Sequence, residues 1–197
     1  MSPRQLVLAS ASPARLRLLR EAGFDPTVMV SGVSEDVDDE HVPSLVLALA
    51  ERKASAVATQ AGDALIIGCD SVFEFQGEPH GKPASAEQAV DWLSRMRGNE
   101  GVLHTGHCVI DGSSGSTVSE ATATIVRFAD ITDAELHAYV SSGEALVVAG
   151  AFTLDGRSAP FVTGIDGDPG NVVGLSLPTF RTLLARLGIE ITDLWSP

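Results

Sequence analysis

Apolar and polar positions along this chain fall into short blocks, and most blocks are bracketed by residues that start or stop a regular element. The run from Leu6 to Ala9 reads as a short buried strand. Behind it Ser12 is a good N-cap, Pro13 suits the first helical position, and Gly23 closes a helix running to about Ala22. Val28, Met29 and Val30 read as a second strand that leads into an acidic stretch from Ser34 to Glu40. From Pro43 the segment PSLVLALAERKASAVATQ predicts a longer helix, with Leu45, Leu49 and Ala56 among its apolar positions. The run from Ala64 to Gly68 predicts a strand covered on both faces. It continues through Asp70 into Val72–Phe75 and a turn at Gln76–Gly77.

Ser85 and Gln88 stand at capping-box spacing and predict a helix that ends at Gly98. Residues 102–110 and 117–128, separated by DGSSGS, predict a β-hairpin. Thr132 and Glu135 give a second capping box for a helix ending at Gly143, and a last helix opens at Pro178 and ends at Gly188. Strands alternating with helices, then a hairpin, predict a mixed-sheet α/β fold. No internal repeat or linker interrupts it, so residues 1–197 read as one domain.

Composition narrows the function classes. The chain has 197 residues, 44% hydrophobic and 5% aromatic. That suffices for one α/β core of aliphatic side chains, or two small lobes sharing a cleft. Thirteen basic against 26 acidic residues give a formal charge of −13. Such a field repels phosphate backbones at long range, and no Lys/Arg run offsets it, so nucleic acid is not an expected partner. A small phosphorylated ligand remains open, because a few cations can converge locally. Cys69 and Cys108 are the two cysteines, without CxxC spacing, and read as free thiols of a reducing compartment. The N-terminus lacks the apolar stretch of a signal peptide and no run approaches the ~18 apolar residues of a membrane span. The expectation is a soluble cytoplasmic protein with no membrane partner.

The first chemical constellation is Ser10, Ser12 and Arg15, in the order strand, tight turn, helix. Free backbone N–H groups and the helix dipole attract anions there, and an arginine in the first turn can fork onto phosphate oxygens. An N-cap serine with a surface arginine is the plainer reading of the same residues. Asp70, just past a buried run, could hold a divalent cation or take a proton from water, or merely cap the next turn. Gly81–Lys82–Pro83 could aim Lys82 at a ligand, with helical Lys53 as companion, although both also fit solvated surface lysines. The spacing is not that of a Walker A loop. The acidic stretch reads as a solvated face, and one of its carboxylates could join Asp70 around a metal. His104 and His107 lie three apart on a strand and face opposite sides, so they do not suit one ion. Gly164, Gly167, Gly170 and Gly174 around Asn171 read as a tight turn.

Taken in order, these blocks resemble the Maf family, first linked to inhibition of septum formation and acting as nucleotide pyrophosphatases. LASASPARLRLL is similar to its SxSPxR opening, ERKASAVA carries Lys53, GCDS carries Asp70, and GEPHGKP carries Glu78 and Lys82. HTGHCVI, YVSSGEALVVAGAF and IDGDPGNVVGLSLP are similar to its later signatures. The resemblance implies an elongated mixed β-sheet with flanking helices, bilobed around a cleft and related to the inosine triphosphate pyrophosphatases. It implies hydrolysis of nucleoside triphosphates to monophosphate and pyrophosphate. Asp70 would be the catalytic proton acceptor. Ser10, Ser12, Arg15, Lys53 and Lys82 would bind the polyphosphate. Glu35 with Asp70 would place Mg²⁺ or Mn²⁺.

Departures from the family pattern bear on the base. Positions linked to base selection fall at Ala14, Ser71 and Asp155, where members preferring dTTP and UTP have Arg, Thr and Gln, with a Lys at the position of Val148. A carboxylate at Asp155 cannot donate as an amide does. Thymine or uracil reading by that route is therefore not expected, and the base, modified or different, stays open. A nucleotide-binding regulator of cell division without turnover is the alternative function. The presence of Asp70, Glu35, Arg15, Lys53 and Lys82 favours the enzyme. A homodimer stays open.

Overall fold

Strand and helix alternate from the start of the chain in the computed structural model, which describes residues 4–34 and 41–195. β1 (Leu6–Leu8), α1 (Pro13–Glu21), β2 (Thr27–Val28), α2 (Val42–Ala61) and β3 (Leu65–Phe75) come first. A short β4 (Glu78–His80), α3 (Ala86–Met96), the hairpin strands β5 (Glu100–Asp111) and β6 (Thr117–Phe128), and α4 (Asp133–Ser141) come next. After three 3₁₀ turns come β7 (Val162–Asp166), α5 (Pro169–Val173) and α6 (Leu177–Arg186). The strands form one seven-stranded sheet in the order β2-β1-β3-β5-β6-β7, with β4 on β3. β1 runs parallel to β2 and β3, whereas β4 on β3 and β7 on β6 are antiparallel, so the sheet is mixed as the pattern predicts.

The chain divides into two compact units. One comprises the described residues up to Asp70, Thr105–Thr122 and the segment from Gly174 onward; the other comprises Ser71–His104 and Ala123–Val173. In the first unit the period-two alternation of a strand sends successive residues to two different cores. Leu6, Leu8, Leu65, Ile67, Cys69 and Val109 pack with Leu19 of α1 and with Phe180, Leu183 and Leu184 of α6. Val7, Ala9, Ile66, Cys108 and Ile110 pack with Ala50, Ala54 and Val57 of α2. Cover on both faces explains why these strands read as unbroken apolar runs.

α2 lies unusually close on this sheet. A Cβ built on Gly68 would stand 2.4 Å from the Ala50 carbonyl oxygen and 2.8 Å from the Ala54 nitrogen, and one on Gly106 would stand 2.1 Å from the Val46 carbonyl oxygen. Glycine inside a strand here marks the approach of another backbone.

The second unit is centred on aromatic rings. Phe73, Phe128 and Phe152 meet edge to face with centroids 4.9–5.7 Å apart, beside Met96, Leu103, Val126 and Val172. α3 and α4 close a further core around Leu93, Leu136 and Tyr139.

Several local expectations change. On α2 Leu45 and Leu49 are buried as expected, but Ala56 is exposed, and Lys53, Ala54 and Val57 are the buried residues of that stretch. The glycine-rich segment around Asn171 is not one tight turn but β7 followed by α5. Its anchor is the wholly buried Asn171 amide, which donates to the Leu103 carbonyl and to Thr124 Oγ1, each at 3.1 Å. Ser85 Oγ accepts from the Gln88 N–H, but Gln88 Oε1 accepts from the Ala84 N–H, one residue before the box position. Thr132 and Glu135 complete a reciprocal box. No helix among the described residues is long and apolar enough to cross a membrane.

Candidate functional site

Where β1 ends, the chain turns so that Ser10 Oγ accepts from the Ser12 N–H at 3.2 Å, and Ser12 Oγ caps α1 by accepting from the Arg15 N–H at 3.4 Å. Pro13 begins the helix with its φ already set and no N–H to satisfy. This local chemistry leaves a helix N-terminus beside the end of a buried parallel strand.

Arg15 does not project into solvent. It is 8% exposed, and its Nε donates to the Gly174 carbonyl at 2.7 Å. Its Nη1 donates to the Cys69 carbonyl at 2.8 Å and to Ser10 Oγ at 3.2 Å. The side chain thus ties together the turn after β1, the peptide preceding Asp70, and the segment leading to α6. Two guanidinium nitrogens are engaged with the protein, so Arg15 gives this corner position as well as charge.

Asp70 and Lys53 meet because of strand alternation. Ile66, Gly68 and Asp70 share one face of β3, and Ile66 is in the core that packs on α2. With Gly68 allowing close approach, the next residue on that face falls level with Lys53. Lys53 Nζ donates to Asp70 Oδ1, and both residues are 8% exposed. Desolvating two charges is costly, and the pair persists because each compensates the other. Cys69 points to the other face, where burial pushes its thiol up to about 11, and burial pushes Cys108 likewise to about 12.

The remaining expected site residues are distributed otherwise. Glu35 lies outside the described residues. Ala14 is half-buried in the first turn of α1. Ser71, Lys82 and Asp155 belong to the second unit, where Lys82 and Asp155 are exposed and Asp155 accepts from the Thr153 hydroxyl. His104 pairs with Glu74 at 3.0 Å in the second unit, whereas His107 in the first accepts from the Ser176 N–H.

Asp70 is a carboxylate at this corner that could hold a hard cation, and its Oδ1 accepts from Lys53. Among the described residues no group of three or more His, Cys, Asp or Glu is placed to hold a metal ion. Mg²⁺ keeps several waters and needs only one or two carboxylates plus substrate oxygens, and Asp70 offers such a carboxylate.

Two residues that shape this corner carry no site signal in the sequence. Gly174, which supplies Arg15's acceptor, reads as one glycine of a turn, and His107 reads as half of a failed metal pair. Glycine at an alternating position in IIGCD is the available clue to the close approach of α2.

A Maf-like protein family model matches residues 5–187. The chain is 60% identical over 197 residues to a nucleoside triphosphate pyrophosphatase of Streptomyces coelicolor and 59% identical over 197 residues to one of Streptomyces avermitilis. Each alignment covers 98% of this chain and 96% of the relative. A protein of the same name from Synechocystis is 45% identical, over 98% of this chain and all of its own. A looser likeness, at TM-score 0.39 and 20% identity over 64% of this chain and 73% of the other, is to the structure of the Staphylococcus aureus Ham1 protein. On the extent of the family match and the full-length relatives, the chain belongs to the Maf-like protein family.

Proposed function

We propose that this chain hydrolyses nucleoside triphosphates at the α–β phosphoanhydride, releasing nucleoside monophosphate and pyrophosphate. The observation that carries the reading is the buried Lys53–Asp70 pair standing next to the Arg15-held turn of Ser10. Near-full-length likeness to proteins named for that activity supports it.

Chemistry assigns the parts. A polyphosphate resists attack until its charge is balanced, and preorganised donors and cations perform that task. The turn from Ser10 to Ser12 and the N-terminus of α1 present hydroxyls and a positive dipole to phosphate oxygens. Lys53 supplies a cation that balances Asp70 before substrate binds and phosphate charge afterwards. Asp70 receives the proton of the attacking water, whose oxygen ends on a product phosphate while the α–β bond breaks. General-base assistance of this kind contributes roughly 10²–10⁴-fold. A divalent cation, Mg²⁺ or Mn²⁺, held by Asp70 would supply further charge neutralisation at the phosphates.

The base is read elsewhere on the chain. Asp155 is a carboxylate already accepting from Thr153 Oγ1, so it offers a nucleobase no donor of the kind an amide would offer. A base presenting its own donor there, including a modified one, is the better complement.

The test is a panel of standard and modified nucleoside triphosphates with each cation, scoring monophosphate and pyrophosphate together. Equimolar release of the two products supports the reading. Release of inorganic phosphate alone, or binding without turnover across the panel, refutes it; the second result would favour a nucleotide-sensing regulator.

A further inference from the structure

The three residues from Gly174 to Ser176 are held at both ends. The Gly174 carbonyl accepts Arg15 Nε at 2.7 Å, and the Ser176 backbone N–H donates to His107 Nε2 at 2.8 Å. Between them Leu175 is fully buried in the core shared by α1 and α6. Ser176 Oγ then caps α6 by accepting from the Thr179 N–H at 3.2 Å. His107 is itself wholly buried, two residues before Val109 on the same face of β5.

Each contact is exacting. A backbone N–H can donate only to a ring nitrogen that carries no hydrogen, so the bond requires the neutral ring with its hydrogen on Nδ1. Gly174 has φ +119°, and a Cβ there would stand 3.1 Å from Arg15 Nε. The chain therefore passes Arg15 only as bare backbone, and its height over the guanidinium is set by the anchored residues Leu175 and Ser176.

We propose that His107 is a positioning residue for the anion-binding corner, a role that rests on the hydrolase reading above. It fixes Ser176 and through it the Gly174 carbonyl; that carbonyl fixes Arg15, and Arg15 fixes the Cys69–Asp70 peptide and the Ser10 hydroxyl. Removing the acceptor leaves a buried N–H unmatched and lets the segment relax. A misplacement of about 1 Å at a reacting group costs on the order of 10²-fold in rate.

The test compares His107→Gln, His107→Asn and His107→Leu in the full chain. The Gln amide oxygen extends far enough to accept from Ser176; Asn is polar but one bond shorter, and Leu accepts nothing. For whichever triphosphate the wild type turns over, kcat/KM should fall roughly 10- to 100-fold in the Asn and Leu variants, the scale of an unmatched buried donor. Gln should recover most of the loss. Combining His107→Asn with Arg15→Lys should lose little more than Arg15→Lys alone, since both act on one path. A second readout, independent of turnover, is the Arg15 Nε–H resonance, which should shift in the Asn variant and return in the Gln variant. Equal Gln and Asn variants, or an unmoved resonance, overturn the proposal even if Leu fails to fold. A wild type without turnover whose resonance still shows this pattern refutes the hydrolase reading and leaves the positional coupling standing.

Discussion

Lys53 and Asp70 pair because Gly68 has no side chain. Gly68 precedes Asp70 on the α2-facing side of β3, and the Ala50 and Ala54 backbone occupies the space where its Cβ would be. A helix riding at ordinary height would carry Lys53 away from the sheet. The charge pair at the candidate site is therefore a consequence of backbone packing.

That dependence makes Gly68→Ala informative. Its new methyl would meet backbone atoms at 2.4 and 2.8 Å, which cannot swing aside as a long side chain can. α2 must lift, at a cost of about 1–3 kcal/mol, typical of overpacking, or more. The expected outcome is a lower urea midpoint together with a fall in kcat. A variant with wild-type stability and turnover would show that α2's height does not matter.

Asp70→Asn keeps the shape and an oxygen that Lys53 can still donate to, and removes the charge and basicity. Turnover should fall by roughly 10²–10⁴-fold, the usual share of a general base. Asp70→Ala should in addition destabilise, by about 3–5 kcal/mol, because it removes a carboxylate partner from a buried ammonium. Pyrophosphate release measured beside thermal melts separates the two effects. Undiminished release by the Asn variant would take Asp70 out of the mechanism.

Features made by local forces are legible in the sequence, and those made by distant partners are not. Helix starts at Ser12–Pro13 and Thr132–Glu135 are readable because a cap is made by residues three apart. The parallel strands are readable because cover on both faces leaves no polar position. The burial of Lys53 is not, since it depends on a partner 17 positions away and on the missing side chain of Gly68. Arg15 points to phosphate by its place in the first helical turn, but its engagement with the Gly174 carbonyl, 159 residues on, has no local signature. The stretch around Asn171 misleads because glycine spacing suggests a turn, while an amide reaching Leu103 and Thr124 is what orders it.

Glu144 holds the loop that carries Asp155. Its carboxylate accepts from the Arg157 N–H at 2.8 and 3.1 Å and from the Ser158 N–H at 3.4 Å, and Ser158 Oγ closes the loop on the Thr153 N–H and carbonyl. Glu144→Ala should loosen residues 153–158 and change the ratio of kcat/KM among different bases more than it changes kcat for the best one. Faster amide exchange at Arg157 and Ser158 would report the loosening directly. Selectivity unchanged in spite of faster exchange would separate this loop from base choice.

Asp111 provides a pH test away from the site. Burial raises its pKa, but hydrogen bonds from Arg4, Ser113 and Ser114 outweigh that and hold the carboxyl well below its ordinary 3.8. Ser113 donates both its N–H, at 2.9 Å, and its hydroxyl, at 2.7 Å, and Arg4 adds an ion pair. A carboxyl whose pKa is lower in the folded than in the unfolded chain stabilises the fold above the unfolded value and loses that contribution as pH falls through the folded one. Asp111→Asn should therefore lower the urea midpoint at about pH 6, and the gap from wild type should narrow as pH drops below about 3.8. A gap that stayed constant from about pH 6 to about pH 2.5 would mean that the hairpin turn gains its stability from shape alone, with the charge on Asp111 irrelevant to it.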